Sequence, residues 1–325
     1  MPVSDQQFVA ATLRLIVDDG TVVITTALEK AAVPTILLKG PALAERLYGD
    51  QESRTYLDTD LLVPAEDLAL AGATLCSLGY GLVASHEVGG VPVGHAQTWS
   101  CGRHVVDLHV RLPGTATAGT ESWPVLSART RPTIVRGHRL LTLDDGAAAL
   151  LLALHVAHHG PTEFGPACED LRRGIERFGP DTWADAAVLA RRLGAEGAMG
   201  WGLRLVLGGE ALAVHLGLPA TPTPSQFVLA SGRRPHVTAG LEELASASSW
   251  GAVARILVGK LFPSALVLRA YGAGPERRSL AGAWLRRARL LVRHSPAGTR
   301  DFLRVLIIRR RQLRRSPSGQ PSAYE

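Results

Sequence analysis

The chain has 325 residues, 46% of them hydrophobic and 20% charged, which excludes a disordered chain and leaves room for about two domains. The net charge of +6 is uneven: residues 276–315 hold 13 arginines against two acids, Glu276 and Asp301. The excess charge therefore describes a basic C-terminus and not a basic protein.

Residues 5–32 are expected to form one or two helices, with Leu13, Ile16 and residues 22–24 at roughly helical spacing, ended by Pro34. Residues 35–38 are a short buried strand that runs into Lys39-Gly40-Pro41, and residues 42–48 return to helical spacing. A polar loop over 49–56 leads to a second strand at 58–63, stopped by Pro64, and to a helix over 65–78 closed by Gly79. Short strands are expected at 80–83 and around 86–93, with a strictly alternating strand at 105–110. A Gly/Thr/Ala loop follows at 113–122, and one more strand at 133–141.

After Thr142 the pattern is helical as far as Arg315, with turns near 160–166, 217–224, 232–235 and 272–275. Asp144 and Asp145 are placed to cap the first of these helices. The expected fold class is α+β: a mixed domain over 1–140, a mainly helical domain over 141–315, and a disordered tail over 316–325. Cys76, Cys101 and Cys168 are far apart and form no C-x-x-C pair, which argues against a zinc knuckle or a disulfide framework and suits a reduced, cytoplasmic setting. The first twenty residues lack a basic stretch ahead of an apolar core, unlike a signal peptide, and no apolar run reaches the roughly 18 residues of a membrane span.

The chemistry concentrates in residues 37–64, LLKGPALAERLYGDQESRTYLDTDLLVP. Asp58 and Asp60 stand at i and i+2 on a strand, so both side chains share one face. Two such carboxylates repel unless a cation lies between them, and hard oxygen ligands suit Mg²⁺ together with substrate phosphates. Asp107, in the strand HVVDLHV, is the natural third ligand. Three carboxylates on neighbouring strands could hold two metal ions for an in-line displacement at phosphorus. Lys39-Gly40 lies at a strand-to-helix junction, where glycine permits close approach and the helix start offers free N–H groups to an anion. Lys39 and Arg54 can add positive charge near phosphates. Taken singly, a D-x-D pair, a KG turn and one strand aspartate are all common; their order along the chain is what carries information.

That order resembles the nucleotidyltransferase superfamily with the polymerase-β-like fold. More narrowly, the run from LLKG to DTDLLV is similar to a bacterial family of uncharacterised nucleotidyltransferases, and VVDLHVRL, ALHVAHHG and EDLRRGIERF resemble that family's later segments. The resemblance implies a Mg²⁺-dependent nucleotidyltransferase with a catalytic domain over 1–140. It assigns Asp58, Asp60 and Asp107 to metal, with Asp107 also a candidate general base, and Gly40 to the phosphate turn. It departs from the wider superfamily at Lys39, where a small residue is usual.

The expected reaction moves a nucleoside monophosphate, AMP from ATP, to a hydroxyl or phosphate of a small-molecule or peptide acceptor and releases pyrophosphate. The alternatives are a non-catalytic nucleotide- or partner-binding regulatory module and a nucleic-acid binder that uses the basic C-terminus. His155, His158 and His159 stand at i, i+3 and i+4 with Asp170 following, a spacing that suits a metal or a helix face closing over the site. The second reading is preferred, with His109, His155 and His159 as substrate contacts. The Arg-rich segment 277–315 is read as a terminal helix with solvated arginines; a membrane surface or nucleic acid is the less favoured reading.

Overall fold

The computed structural model describes residues 5–49, 54–88, 91–159 and 165–220, with the isolated positions 258 and 289. The Arg-rich segment, the tail over 316–325 and the turns expected near 232–235 and 272–275 lie outside the described residues. A single 26-residue helix, α1 (Asp5–Lys30), opens the chain. It is followed by β1 (Ile36–Leu37), α2 (Pro41–Tyr48), β2 (Asp58–Leu62), α3 (Leu68–Ser77), β3 (Gly81–Val88), β4 (Val91–Cys101), β5 (His104–His109), α4 (Gly119–Ser127), β6 (Thr130–Val135) and β7 (His138–Leu143). The helices α5 (Asp145–His159), α6 (Pro166–Arg177), α7 (Pro180–Arg192), α8 (Glu196–Arg204) and α9 (Gly209–His215) complete the described part. A mixed part that ends at β7, followed by helices alone among the described residues, is the α+β order that the sequence leads one to expect.

The strands form one seven-stranded sheet in the order β3-β4-β5-β2-β1-β7-β6. At its centre β2 and β5 run parallel, and β1 lies antiparallel to β2 and parallel to β7. One face is closed by α1 and α3, whose Ile24, Leu28, Ala71 and Leu75 pack with Leu61, Val63, Val106 and Leu108. The other is closed by α2 and α5, where Leu43, Leu47 and Leu62 join the Ala/Leu run of α5. That run is apolar on nearly every side because α5 lies between the sheet and the helices α6 to α8. Asp144 caps α5 as expected, its Oδ1 accepting from the Ala147 N–H at 2.9 Å.

Three local expectations are corrected. Residues 133–141 are not one strand but most of a hairpin, β6 and β7, turned at Arg136-Gly137 with φ of 52° and 81°. Two successive positive φ values give the tight turn whose twist matches paired strands. The stretch near 86–93 is part of a long hairpin of β3 and β4 that continues to Cys101. Within the expected loop 113–122 the helix α4 begins, its glycine and threonine start and internal Pro124 having hidden the helical pattern.

Behind β2 a buried chain of hydrogen bonds fixes the strand. Thr21 Oγ1 donates to the Val17 carbonyl at 2.8 Å, so it accepts from Thr59 Oγ1, 2.6 Å away. Thr59 in turn accepts from His104 Nε2 at 2.9 Å, and His104 Nδ1 accepts from the Tyr80 hydroxyl at 2.6 Å. This order requires a neutral imidazole, in keeping with burial, which lowers the His104 pKa. Gly20 packs against that ring so closely that a Cβ would overlap it. Overpacking of about 1–3 kcal/mol outweighs the roughly 1 kcal/mol that alanine gains over glycine inside a helix. Gly20→Ala is therefore expected to lower the denaturation midpoint; unchanged or raised stability would show that His104 has room to turn aside.

Candidate active site

The parallel register of β2 and β5 sets Asp60 against Asp107, Asp58 against Val105, and Leu62 against His109. Side chains alternate along each strand, so Asp58, Asp60, Asp107 and His109 project from one face while Thr59, Leu61, Val106 and Leu108 fill the other. The pairing of Asp60 with Asp107 is a consequence of strand neighbourhood, which joins residues 47 positions apart in the chain (Asp60, Asp107).

Asp60 is buried, and its Oδ1 accepts from Lys39 Nζ at 2.8 Å and from His109 Nε2 at 3.0 Å. Burial alone would raise its pKa, but Lys39 and His109 together hold the carboxyl well below the usual carboxylate range. Lys39 follows directly on Leu38, whose N–H donates to the Asp60 carbonyl at 3.0 Å, so the backbone itself carries the ammonium to this carboxylate. Lys39 Nζ also lies 3.3 Å from His155 Nε2, which accepts as a neutral imidazole. Burial, aided by the Lys39 charge, keeps His155 well below the ordinary histidine pKa.

Asp107 is half-buried, and its Oδ1 is enclosed without a hydrogen-bond partner. Asp60, Asp107 and His109 each offer one ligand atom, all within 4.8 Å of one another. Asp58 stands two residues up the strand, outside that trio. Its pKa is raised by burial and then by Asp60, against the lowering influence of Lys39. Two carboxylates paired across adjacent strands, one with an unsatisfied enclosed oxygen, form a donor set that fits a hard divalent cation. His109, a softer ligand that already donates to Asp60, fits better as the group that orients that carboxylate.

A cavity of about 170 Å³ opens beside the carboxylates. Lys39, His95, His109, His155, His158 and His159 contribute to its wall. The rings of His155 and His159 meet edge to face at 4.6 Å between centroids, and those of His95 and His158 at 4.8 Å. His95 was not legible as a site residue, because the strand that carries it reaches beyond the 86–93 that local pattern suggests.

Gly40 has φ of 64°, a left-handed value that favours glycine, and it caps α2 ahead of Pro41 with no side-chain hydrogen bond. Helix α2 thus begins two residues after Lys39, and because Pro41 carries no N–H its first backbone donor is Ala42. Arg54 is anchored by Asp170: its Nε and Nη2 donate to that carboxylate at 2.8–3.0 Å, and Tyr48 Oη donates to it at 2.7 Å. Arg54 Nη1 is enclosed without a partner. Asp170 therefore serves Arg54 and Tyr48, whereas the spacing in the sequence set it beside the histidines of α5.

A family model of uncharacterised nucleotidyltransferases matches residues 5–207. No curated protein matches the chain. Among solved structures, a solution structure of the antibiotic-resistance factor ANT(2″)-Ia is 15% identical, with a TM-score of 0.41 over 57% of this chain and 94% of that one. A crystal structure of ANT(2″)-Ia in complex with adenylyl-2″-tobramycin is 14% identical, with a TM-score of 0.37 over 56% of this chain and 98% of that one.

Proposed function

The chain belongs to the family of uncharacterised nucleotidyltransferases, and from that premise we propose that it transfers a nucleoside monophosphate, AMP from ATP, to a hydroxyl or phosphate of a small-molecule or peptide acceptor in the presence of Mg²⁺. The observation that carries this reading is the cross-strand pair Asp60 and Asp107, both lining the cavity, with Asp107 Oδ1 enclosed and partnerless.

In this reading Asp58, Asp60 and Asp107 would hold two Mg²⁺ ions, which when bound would neutralise charge on the triphosphate and favour ionisation of the attacking hydroxyl. Asp107 also accepts the proton of that hydroxyl. The acceptor oxygen forms a bond to the α-phosphorus, the bond from phosphorus to the bridging oxygen breaks, and pyrophosphate leaves with its electron pair. Lys39, the start of α2 after Gly40, and Arg54 Nη1 receive the phosphates. His109, His155 and His159 face the acceptor, with His109 also orienting Asp60. Residues 1–140 form the catalytic domain, and α5, the first helix after it, supplies the histidine wall. Among the described residues no helix is long and apolar enough to cross a membrane, and the proposed setting is the cytoplasm.

Calorimetric titration with ATP and GTP in Mg²⁺, followed by pyrophosphate release over a panel of acceptors, tests the proposal. Wild type is expected to bind one nucleotide only in the presence of metal, and Asp58→Ala/Asp60→Ala to lose that binding. Nucleotide binding unchanged in the double variant would overturn the metal assignment. Metal-dependent binding with no pyrophosphate release on any acceptor would favour a regulatory binding module.

A further inference from the structure

The ammonium of Lys39 makes contact with Oδ1 of Asp60, a carboxylate that the proposed metal site would use. Its other neighbour within hydrogen-bond distance is the lone pair of His155 Nε2. The side chain is only 13% exposed and borders the cavity. Asp60, Asp107 and the nearby Asp58 make a concentration of negative charge that a protein interior does not tolerate without a counter-charge. We propose that Lys39 is the resident counter-ion of this site: it neutralises Asp60 when no metal is bound, and metal binding displaces its ammonium from Asp60 towards the phosphates of the incoming nucleotide. The inference rests on the assignment of Asp60 to metal.

The displacement follows from a shared carboxylate. A magnesium ion on Asp60 would sit about 2.0–2.1 Å from one of its carboxylate oxygens, and an ammonium 2.8 Å from Oδ1 would then face a divalent charge at close range. Lysine is suited to yield, because it is a point charge on a flexible four-carbon stem. Lys39 lies two residues ahead of α2, whose first N–H groups follow Pro41, so a triphosphate seated there gives the displaced ammonium a new anionic partner. Metal alone must compete with Lys39 for Asp60, whereas metal that arrives with a nucleotide brings the charge that Lys39 moves to. The site thereby couples metal loading to the presence of substrate.

Two effects of opposite sign are expected in Lys39→Gln. Bare Mn²⁺, followed through the electron-spin signal of the free ion, should bind about tenfold tighter than to wild type, within the usual range for coupled sites. Mn²⁺ with a non-hydrolysable ATP analogue should bind more weakly than to wild type. Lys39→Arg, which keeps the charge, should stay close to wild type for bare Mn²⁺. A measurement on the unaltered protein removes any dependence on how the variants fold. The chain has only three lysines, Lys30, Lys39 and Lys260, so the Lys39 Nζ resonance can be assigned. Mg²⁺ is expected to shift that resonance and speed its exchange with water, and addition of the nucleotide analogue to slow the exchange again. Metal that binds wild type and leaves the Lys39 resonance unmoved would overturn the inference while sparing the metal site. Metal that fails to bind wild type and Lys39→Gln alike would overturn both.

Discussion

Asp58→Asn and Asp107→Asn are each expected to reduce pyrophosphate release by about 10³-fold, since a metal clamp supplies several kcal/mol of charge stabilisation and each 1.36 kcal/mol is a factor of ten. Neither should cost the fold its stability. Asp107 Oδ1 makes no hydrogen bond that asparagine would lose. Asp58 titrates above the ordinary carboxylate value because burial, and then Asp60, oppose its charge. The sign of its contribution follows: a group whose pKa is raised by folding contributes stability below its unfolded pKa of about 3.9, and that contribution is lost as pH rises through the folded value. At neutral pH the ionised Asp58 works against the fold, so Asp58→Asn should raise the thermal midpoint of the metal-free protein. The same variant should gain less from added Mg²⁺ than wild type does, because stabilisation by a ligand scales with its affinity for the folded state. Activity lost together with a lowered midpoint would make these aspartates structural. Activity retained within a factor of ten would remove them from the chemistry.

The candidate site is the most legible part of the chain. Residues 37–64 announce themselves because the chemistry there violates local rules: two acids on one strand face, a lysine at a strand end, a glycine with positive φ. The strand, turn and helix around them follow from nearest-neighbour pattern, and β1, α2 and β2 lie close to where the sequence puts them. What the sequence does not disclose is set by distant pairing. The alignment of Asp60 with Asp107 requires β5 to lie parallel to β2 and in one register, and no local signal specifies either. The contact of Lys39 with Asp60 and His155 joins β1, β2 and α5. His95 joins the site because β4 runs back beside β5 as a long antiparallel strand, with the His95 carbonyl oxygen accepting from the Val110 N–H at 2.9 Å. The helix α4 stayed hidden for a different reason: its composition of glycine, threonine and proline is that of a turn, and its buried Ser122 and Leu126 are held by tertiary packing.

Asp170→Ala is expected to be the most destabilising single change, with a loss of about 3–5 kcal/mol as for the removal of one partner from a buried ion pair. Asp170 is fully buried, and its carboxylate accepts from Arg54 Nε and Nη2 and from Tyr48 Oη, which ties α6 to α2 and to the segment leading into β2. Burial, and then the Asp170 charge, push the Tyr48 phenol pKa up, so it remains a donor at any working pH. Removing the carboxylate leaves the Arg54 guanidinium enclosed without its counter-charge. Asp170→Asn, which keeps one acceptor oxygen, should cost less. The pair can also be replaced as a unit: Arg54→Met/Asp170→Leu should recover most of the stability that either single change loses, because apolar side chains of similar volume often replace a buried ion pair at little cost. Nucleotide affinity should not recover with it. Arg54 Nη1 is the one guanidinium nitrogen that Asp170 leaves unpartnered, and in the proposed function that nitrogen meets the triphosphate. Chemical denaturation and titration with Mg·ATP of the same three proteins measure the two quantities side by side. A double variant that regains stability but binds nucleotide weakly would place Arg54 in recognition. One that regains both would make the pair a fastener between α2 and α6, and the phosphates would then depend on Lys39 and the start of α2 alone.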